Sequence, residues 1–195
     1  KGTEIFRRPL SENDIESYLE VYDLAVEDGF DTGLIWTITA MLQSPHFLYR
    51  SELGERDLDN TFALTDWEIA TELSYLIWQS TPDSTLLSLA NDNQLQDPAV
   101  FEEQVQRLLL DSRSAETMLL MSNQWLNLRQ LPFITRDPEV YGDLTAEIRS
   151  DLGMETEKFI RSLFIEDAPF ENLLIAQETW LSPALSEYYQ IDTSP

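Results

Sequence analysis

Apolar residues recur at steps of three and four along most of the chain, which is the spacing of one face of an α-helix. Apolar and polar residues never alternate for more than a few positions, so signals for β-strands are nearly absent. The pattern therefore predicts an all-α fold, a multi-helix bundle of about eight or nine helices. The clearest stripes are Ile15, Tyr18, Leu19, Tyr22 and Val26; Leu34, Ile35, Ile38 and Leu42; Ile69, Leu73, Leu76 and Ile77; and Phe101, Val105, Leu108 and Leu109.

Residues that favour helix starts precede several of these stripes. Ser11 with Asp14, and Thr65 with Glu68, have the spacing of a capping box, in which two side chains satisfy each other's backbone N–H groups. Proline also suits the first helical turn, because the N–H that it lacks has no partner there. Four prolines predict further starts in this way: Pro45, Pro82, Pro98 and Pro183.

The domain organisation is predicted from a charged stretch at 54–60, which we expect to be a loop. It separates a small N-terminal helical lobe, residues 1–53, from a main helical bundle, residues 61–195, and we expect the two to pack into one continuous globular unit. Because the first residue is Lys1 rather than Met, we expect the chain to be a fragment of a longer polypeptide.

Composition narrows the class of protein. The 5 Trp, 7 Tyr and 9 Phe are enough for a packed core, and the absence of cysteine excludes disulfides, thiolate zinc sites, a Cys nucleophile and covalent haem c within this segment. A formal charge of -24 argues against binding nucleic acid, whose phosphates attract Lys and Arg. Acid-rich proteins stay soluble in salt, which favours an extracellular setting. No apolar run is long enough to span a membrane.

His46 and Arg50 are the candidate catalytic residues. His46 is the only histidine, so a multi-histidine metal site cannot be built from this segment, and Glu-x-x-His does not occur. Three roles are open to it: a structural histidine bonded to a carbonyl, a metal or haem ligand, and a general base. Arg50, like Arg7 and Arg8, either pairs with a carboxylate in the fold or clamps a substrate carboxylate or haem propionate.

Two other groups of residues carry weaker signals. Asp57 and Asp59 have the spacing of calcium ligands, but an EF-hand loop needs Gly where this chain has Phe62, so they are weak metal candidates. Four tryptophans lie on apolar stripes and are predicted to be core residues: Trp36, Trp67, Trp78 and Trp125. Trp180 is off such a stripe and is the best candidate for an exposed aromatic residue that contacts a glycan.

Four motifs in order give the chain a resemblance to a known group. FRRPL at 6–10, SPHFLYR at 44–50, LSYLIW at 73–78 and QWLNL at 124–128 resemble motifs of planctomycete-type cytochrome c-associated proteins of unknown function. The resemblance implies a periplasmic or secreted multi-domain bacterial protein with a c-type haem domain elsewhere in its chain. The chain departs from the family's His-Tyr-Gly step, because it has Tyr188, Tyr189 and Gln190 there.

Three functions follow as hypotheses. The first is a helical accessory domain of a redox protein, which docks against a cytochrome c module or other domains of the same polypeptide and assists electron transfer; its cofactor, haem c, would lie outside this segment. The second is a non-catalytic assembly or glycan-binding module. The third is an oxidative enzyme domain with a site at His46 and Arg50. A helical fold cannot decide among them, since helical bundles support many unrelated activities.

Overall fold

The computed structural model describes residues 1–56, 62–166, 168–169 and 171–191. These residues form twelve α-helices, eight of them with seven or more residues, and one pair of two-residue strands. The all-α, multi-helix prediction is confirmed. Contacts within the chain divide it into two compact units, Lys1–Leu110 and Asp111–Pro195. The predicted division into 1–53 and 61–195 stays a prediction, and residues 57–60 of its predicted linking loop, 54–60, lie outside the described residues.

The first unit contains seven helices and the strand pair. Its α-helices are α1 (Gly2–Phe6), α2 (Glu12–Ala25), α3 (Phe30–Gln43), α4 (Pro45–Leu48), α5 (Asp66–Trp78), α6 (Ser84–Asn91) and α7 (Pro98–Leu109). A 3-10 turn, Val26–Asp28, joins α2 to α3. The antiparallel strands β1 (Glu55–Arg56) and β2 (Phe62–Ala63) pair Glu55 with Ala63.

The second unit is organised around its longest helix. Its α-helices are α8 (Ser112–Trp125), α9 (Pro138–Tyr141), α10 (Ala146–Ile165), α11 (Asn172–Ile175) and α12 (Pro183–Tyr189), and a 3-10 helix covers Leu128–Phe133. α10 packs against α8, α12 and this 3-10 helix, and its Ile160 is buried at 1% exposure. No helix in the described ranges has the length and apolar character needed to cross a membrane.

The helix starts follow the local chemistry of the sequence. Both predicted capping boxes form: the Ser11 hydroxyl accepts from the Asp14 N–H at 3.1 Å, and the Thr65 hydroxyl accepts from the Glu68 N–H at 3.3 Å. The predicted prolines 45, 98 and 183 each occupy the first turn of a helix, whereas Pro82 precedes Asp83, the N-cap of α6. These starts need only neighbouring residues, which is why the sequence predicts them correctly.

The core of the first unit lies between α5, α6 and α7. Leu86 and Leu108 are fully buried there, and the indole N–H of Trp78 donates to the carbonyl of Leu108 at 2.9 Å. Burial of each large side chain stabilises the fold by about 1.5–3 kcal/mol. The core therefore fixes the position of α5, and the residues around its first turn pack against a rigid helix.

The prediction that Trp36 of α3 is a core residue is wrong. Ile35 and Trp36 are 62% and 58% exposed, and Leu34, Ile38 and Leu42 are also exposed. Among the described elements α3 packs against α2, the 3-10 turn, α1 and α4, which together cover only part of its surface. Trp125, which was also expected in the core, is 58% exposed. An apolar stripe predicts a helix, but it does not tell whether another element covers that helix.

Candidate functional site

The predicted candidates His46 and Arg50 both line one cleft of the first unit, with a volume of about 550 Å³. The cleft is lined by residues of 6–9, 46–55 and 65–71, together with Asn93 and Gln96. It therefore brings together the FRRPL and SPHFLYR motifs and the first turn of α5. Its volume lies within the range of pockets that hold small ligands.

Arg7 builds one wall of the cleft, and it does so without a carboxylate partner among the described residues. It is 4% exposed, and its guanidinium donates to the carbonyls of His46 at 2.9 Å and Tyr49 at 3.1 Å, with longer contacts to Phe47 and Ile5. The carbonyls of His46, Phe47 and Tyr49 lie at the end of α4, where a helix leaves carbonyl groups without intrahelical partners, and that of Ile5 belongs to α1. The expected carboxylate ion pair of Arg7 is therefore replaced by a cap on α4.

Arg8 forms the ion pair that the sequence analysis considered. Its guanidinium donates to a carboxylate oxygen of Asp14 at 2.8 Å. This hydrogen bond, together with those from Ser11, outweighs burial and holds the pKa of Asp14 well below its usual range. Because Asp14 also caps α2, the pair attaches the FRRPL segment to the start of that helix.

His46 presents an exposed side chain to the cleft. Its ring lies 5.5 Å from the ring of Phe6, tilted by 53°, and the described residues give its imidazole no hydrogen bond. The expected structural bond from this imidazole to a carbonyl is therefore not seen in the described part of the chain. The backbone carbonyl of His46, by contrast, accepts the bond from Arg7.

Arg50 lies over the ring of Tyr75, with its guanidinium carbon 4.7 Å from the ring centroid. Its nearest carboxylate oxygen belongs to Glu72 at 3.9 Å, which is an ion pair but too long for a hydrogen bond. The Arg50 side chain is 47% exposed. Within the described ranges its N–H groups thus make no hydrogen bond, and they are available to a group that enters the cleft.

Asp66 is the cleft residue that the sequence analysis missed. It is the first residue of α5 and is 3% exposed, yet neither of its carboxylate oxygens has a hydrogen-bond partner among the described residues. An acidic residue in the first turn of a helix is common because it complements the helix dipole, so its sequence position gave no signal. Only the tertiary structure shows that it is buried and unsatisfied.

Glu68 shapes the neighbouring edge of the cleft. One of its oxygens accepts from the N–H groups of Leu53 and Gly54 at 2.8 and 3.1 Å, and the other accepts from Thr65 at 2.8 Å. Burial raises the pKa of Glu68, but the backbone hydrogen bonds outweigh it, so the pKa lies below its ordinary value. Glu68 therefore fastens the 53–54 segment to the start of α5.

The remaining predicted site residues are the weak metal candidates Asp57 and Asp59, and the aromatic candidate Trp180. Asp57 and Asp59 lie outside the described residues, and the described ranges contain no cluster of three or more His, Cys, Asp or Glu residues able to hold a metal ion. Trp180 is 53% exposed, as predicted, and belongs to the second unit.

The chain departs from the His-Tyr-Gly step at residues 188–190, and Tyr189 of this segment bonds to the carboxylate of Glu155. The Tyr189 hydroxyl donates to Glu155 at 2.9 Å, and the hydroxyl of Thr179 donates to the same carboxylate at 2.7 Å. Burial, followed by the hydrogen bond to Glu155, raises the pKa of Tyr189 to about 12. This tyrosine therefore stays protonated at neutral pH and acts as a hydrogen-bond donor that ties α12 to α10.

A second feature of the first unit is the α2–α3 apolar surface, which we define as the exposed apolar residues of these two helices: Ile15, Leu19, Leu24, Phe30, Leu34, Ile35, Trp36, Ile38 and Leu42. The segment 12–43 that carries it contains eight acidic residues and no Lys, Arg or His. The surface thus combines large apolar side chains with uniformly negative surroundings.

Comparison with protein families gives two matches. The model described as PSD4, protein of unknown function (DUF1592), matches residues 64–191, and the model described as PSD5, protein of unknown function (DUF1595), matches residues 1–52. No curated protein and no solved structure matches the chain. The cleft takes Arg7, His46 and Arg50 from the stretch matched by PSD5, and Asp66 from the stretch matched by PSD4.

Proposed function

Because the chain belongs to the PSD4 family of proteins of unknown function (DUF1592), its function has to be inferred from its surfaces, and we propose that it is a docking domain. It binds a haem-bearing cytochrome c module of a periplasmic or secreted redox protein and holds that module in place for electron transfer. The α2–α3 apolar surface is the observation that carries the proposal. The haem belongs to the partner module, and this segment supplies the docking face.

The chemistry of that surface defines the partner. Exposed large apolar residues are frequent at interaction sites, and Ile35 and Trp36 are the kind of large side chains that anchor an interface. The eight acidic residues of 12–43 are not balanced by any cation in the same segment. A partner that fits must therefore present an apolar patch surrounded by Lys and Arg. Such complementarity speeds association at low salt and rejects acidic partners.

The proposal is tested by titrating the chain with a small, basic, soluble c-type cytochrome as the probe, by calorimetry and by the change in haem absorbance. We expect saturable binding that weakens at least tenfold between about 0.02 and 0.2 M salt. The double variant Ile35→Ser, Trp36→Ser should abolish binding. The matched control is Ile175→Ser, Trp180→Ser, whose residues are 68% and 53% exposed in the second unit, and it should bind as the wild type does.

Two results would refute the docking function. One is the absence of saturable binding to the basic cytochrome at low salt. The other is equal loss of binding in both double variants, which would mean that apolar exposure in general, rather than the α2–α3 apolar surface, mediates the contact.

The alternative of an oxidative enzyme with a site at His46 and Arg50 stays a prediction. The described residues place no carboxylate within hydrogen-bond reach of the imidazole, so no orienting partner for a general base is visible there. The cleft that both residues line nevertheless contains polar groups that have no hydrogen-bond partner among the described residues.

A further inference from the structure

The cleft of the first unit contains a buried carboxyl group, Asp66, that no described residue satisfies. Asp66 is 3% exposed and its two carboxylate oxygens have no hydrogen-bond partner among the described residues, although it lines an open cleft of about 550 Å³. Burying an unsatisfied carboxylate is unfavourable, and such groups in native structures are frequently completed by a ligand or water. The two oxygens can accept up to four hydrogen bonds, so the group that completes them must be a donor.

The same cleft also offers donors. The guanidinium of Arg50 has five N–H groups, and its only described polar contact is the long ion pair with Glu72 at 3.9 Å. The imidazole of His46 is exposed, and Asn93 and Gln96 also line the cleft, although the Gln96 amide already donates to the carbonyl of Leu64 at 3.4 Å. A ligand that satisfies the cleft must therefore donate to Asp66 and accept from Arg50.

The charges of the cleft exclude simpler ligands. An organic cation would pair with Asp66 but would be repelled by three arginines that line the same cleft, Arg7, Arg8 and Arg50. A small anion would suit the arginines but would meet the carboxylates of Asp66, Glu55 and Glu68. A metal ion would lack ligands, since no cluster of three ligating side chains occurs in the described ranges.

We propose that the cleft binds a neutral, hydroxyl-rich ligand, a short saccharide. Each sugar hydroxyl donates one hydrogen bond and accepts others, so neighbouring hydroxyls can satisfy Asp66 and Arg50 together without introducing charge. The apolar face of a sugar ring also needs a flat apolar partner. Tyr49, which is 71% exposed, and the half-buried Trp67 supply aromatic rings on the cleft lining.

The site is independent of the docking surface. Arg7 and Glu68 hold the cleft walls through bonds to backbone groups, and neither belongs to the α2–α3 apolar surface. Failure of cytochrome binding would therefore leave the saccharide proposal standing, and the reverse also holds. Asp66→Asn should keep the cytochrome affinity of the wild type.

The experiment titrates the whole chain with neutral trisaccharides derived from cellulose, xylan, mannan and chitin, each up to about 20 mM, and follows heat and tryptophan fluorescence. Phosphate and spermidine serve as the anionic and cationic probes. We expect at least one trisaccharide to bind with a dissociation constant of about 0.1–10 mM, while phosphate and spermidine do not saturate.

The decisive variant is Asp66→Asn, which keeps the shape of the side chain and removes its charge. If the Asp66 carboxylate accepts hydrogen bonds from the saccharide, this variant should weaken saccharide binding at least tenfold. It should also raise the melting temperature of the free protein by about 2 °C or more, because it removes a buried, unsatisfied carboxylate. The matched control is Asp31→Asn, which changes an exposed acid in the first turn of α3. This variant should bind the saccharide as the wild type does, and its melting temperature should not rise. Arg50→Gln should also weaken binding.

Four outcomes would overturn the proposal. They are no saturable signal from any of the trisaccharides, wild-type saccharide affinity in Asp66→Asn, a lowered melting temperature in Asp66→Asn, and saturation by phosphate or spermidine alone. A lowered melting temperature would show that the Asp66 carboxylate supports the fold rather than a ligand.

Discussion

Replacing Arg7 by Ala should destabilise the first unit far more than replacing Arg50, although both guanidinium groups lie near the ring of Tyr75. The difference comes from what each arginine bonds. Arg7 is 4% exposed and donates to four backbone carbonyls, whereas the side chain of Arg50 is 47% exposed and makes only a long ion pair with Glu72.

The magnitude follows from the four distances. Two of the carbonyl contacts of Arg7, to His46 at 2.9 Å and Tyr49 at 3.1 Å, have normal hydrogen-bond length, and the contacts to Ile5 at 3.3 Å and Phe47 at 3.4 Å are weaker. A hydrogen bond from a charged donor contributes about 1.5–3 kcal/mol, and its loss leaves carbonyls at the end of α4 without a partner. We therefore expect Arg7→Ala to lower the free energy of unfolding by about 3–5 kcal/mol.

The comparison variant is Arg50→Ala. It removes a cation–π contact and a half-exposed ion pair, which together contribute no more than about 1 kcal/mol. Arg7→Lys should fall between the two, because it keeps the charge but cannot reach several carbonyls with one ammonium group.

The assay is urea unfolding at pH 7, followed by far-ultraviolet circular dichroism on the wild type and the three variants. A loss below about 1 kcal/mol for Arg7→Ala, or equal losses for Arg7→Ala and Arg50→Ala, would show that the carbonyl cap on α4 does not stabilise the fold as argued.

Two further expectations concern helix α2. Because the hydrogen bond from Arg8 lowers the pKa of Asp14 in the folded protein, Asp14 stabilises the fold above its unfolded pKa of about 3.9 and loses that contribution as the pH falls below it. Asp14→Asn should therefore reduce the decline of the free energy of unfolding between about pH 4 and pH 2, measured by urea titration at each pH. Gly33→Ala places a Cβ 2.7 Å from the ring of Tyr22 where α3 crosses α2, so we expect a loss of about 1–2 kcal/mol in the same assay.

Each of these expectations has a clear contrary outcome. An acid decline as steep in Asp14→Asn as in the wild type would contradict the role of its lowered pKa. The matched control for Gly33 is Gly153→Ala in α10, where the new Cβ meets Leu131 only at 4.0 Å and helix propensity should raise stability by about 0.4–1 kcal/mol. Equal effects at Gly33 and Gly153 would mean that the α2–α3 crossing tolerates the added methyl group.

The helix starts and the fold class were predictable because they depend on residues within a few positions of one another. Ser11 with Asp14, and Thr65 with Glu68, form their capping boxes regardless of what the rest of the chain does. The burial of the residues on the apolar stripes was less predictable. Trp36 and Trp78 lie on stripes of similar character, yet one is 58% exposed and the other is 5% exposed.

The candidate site was predicted in part. His46 and Arg50 were singled out from their residue types and motif, and the structure places both on one cleft. Asp66 was missed, because an acid at the first position of a helix is ordinary in sequence and unusual only when it is buried without a partner. Arg7 was expected to pair with a carboxylate, but its partners are carbonyls brought close by the fold.

The sequence by itself determined that the chain is helical, where several of its helices begin, and that its charge is strongly negative, since these follow from local periodicity, local hydrogen bonding and composition. The tertiary structure decided which apolar surfaces stay open and which polar groups meet in the cleft, because both depend on contacts between residues far apart in the chain. Arg7 and Tyr49, separated by 42 positions, are joined at the cleft wall. A buried carboxylate can be recognised as unsatisfied only when all of its neighbours are known.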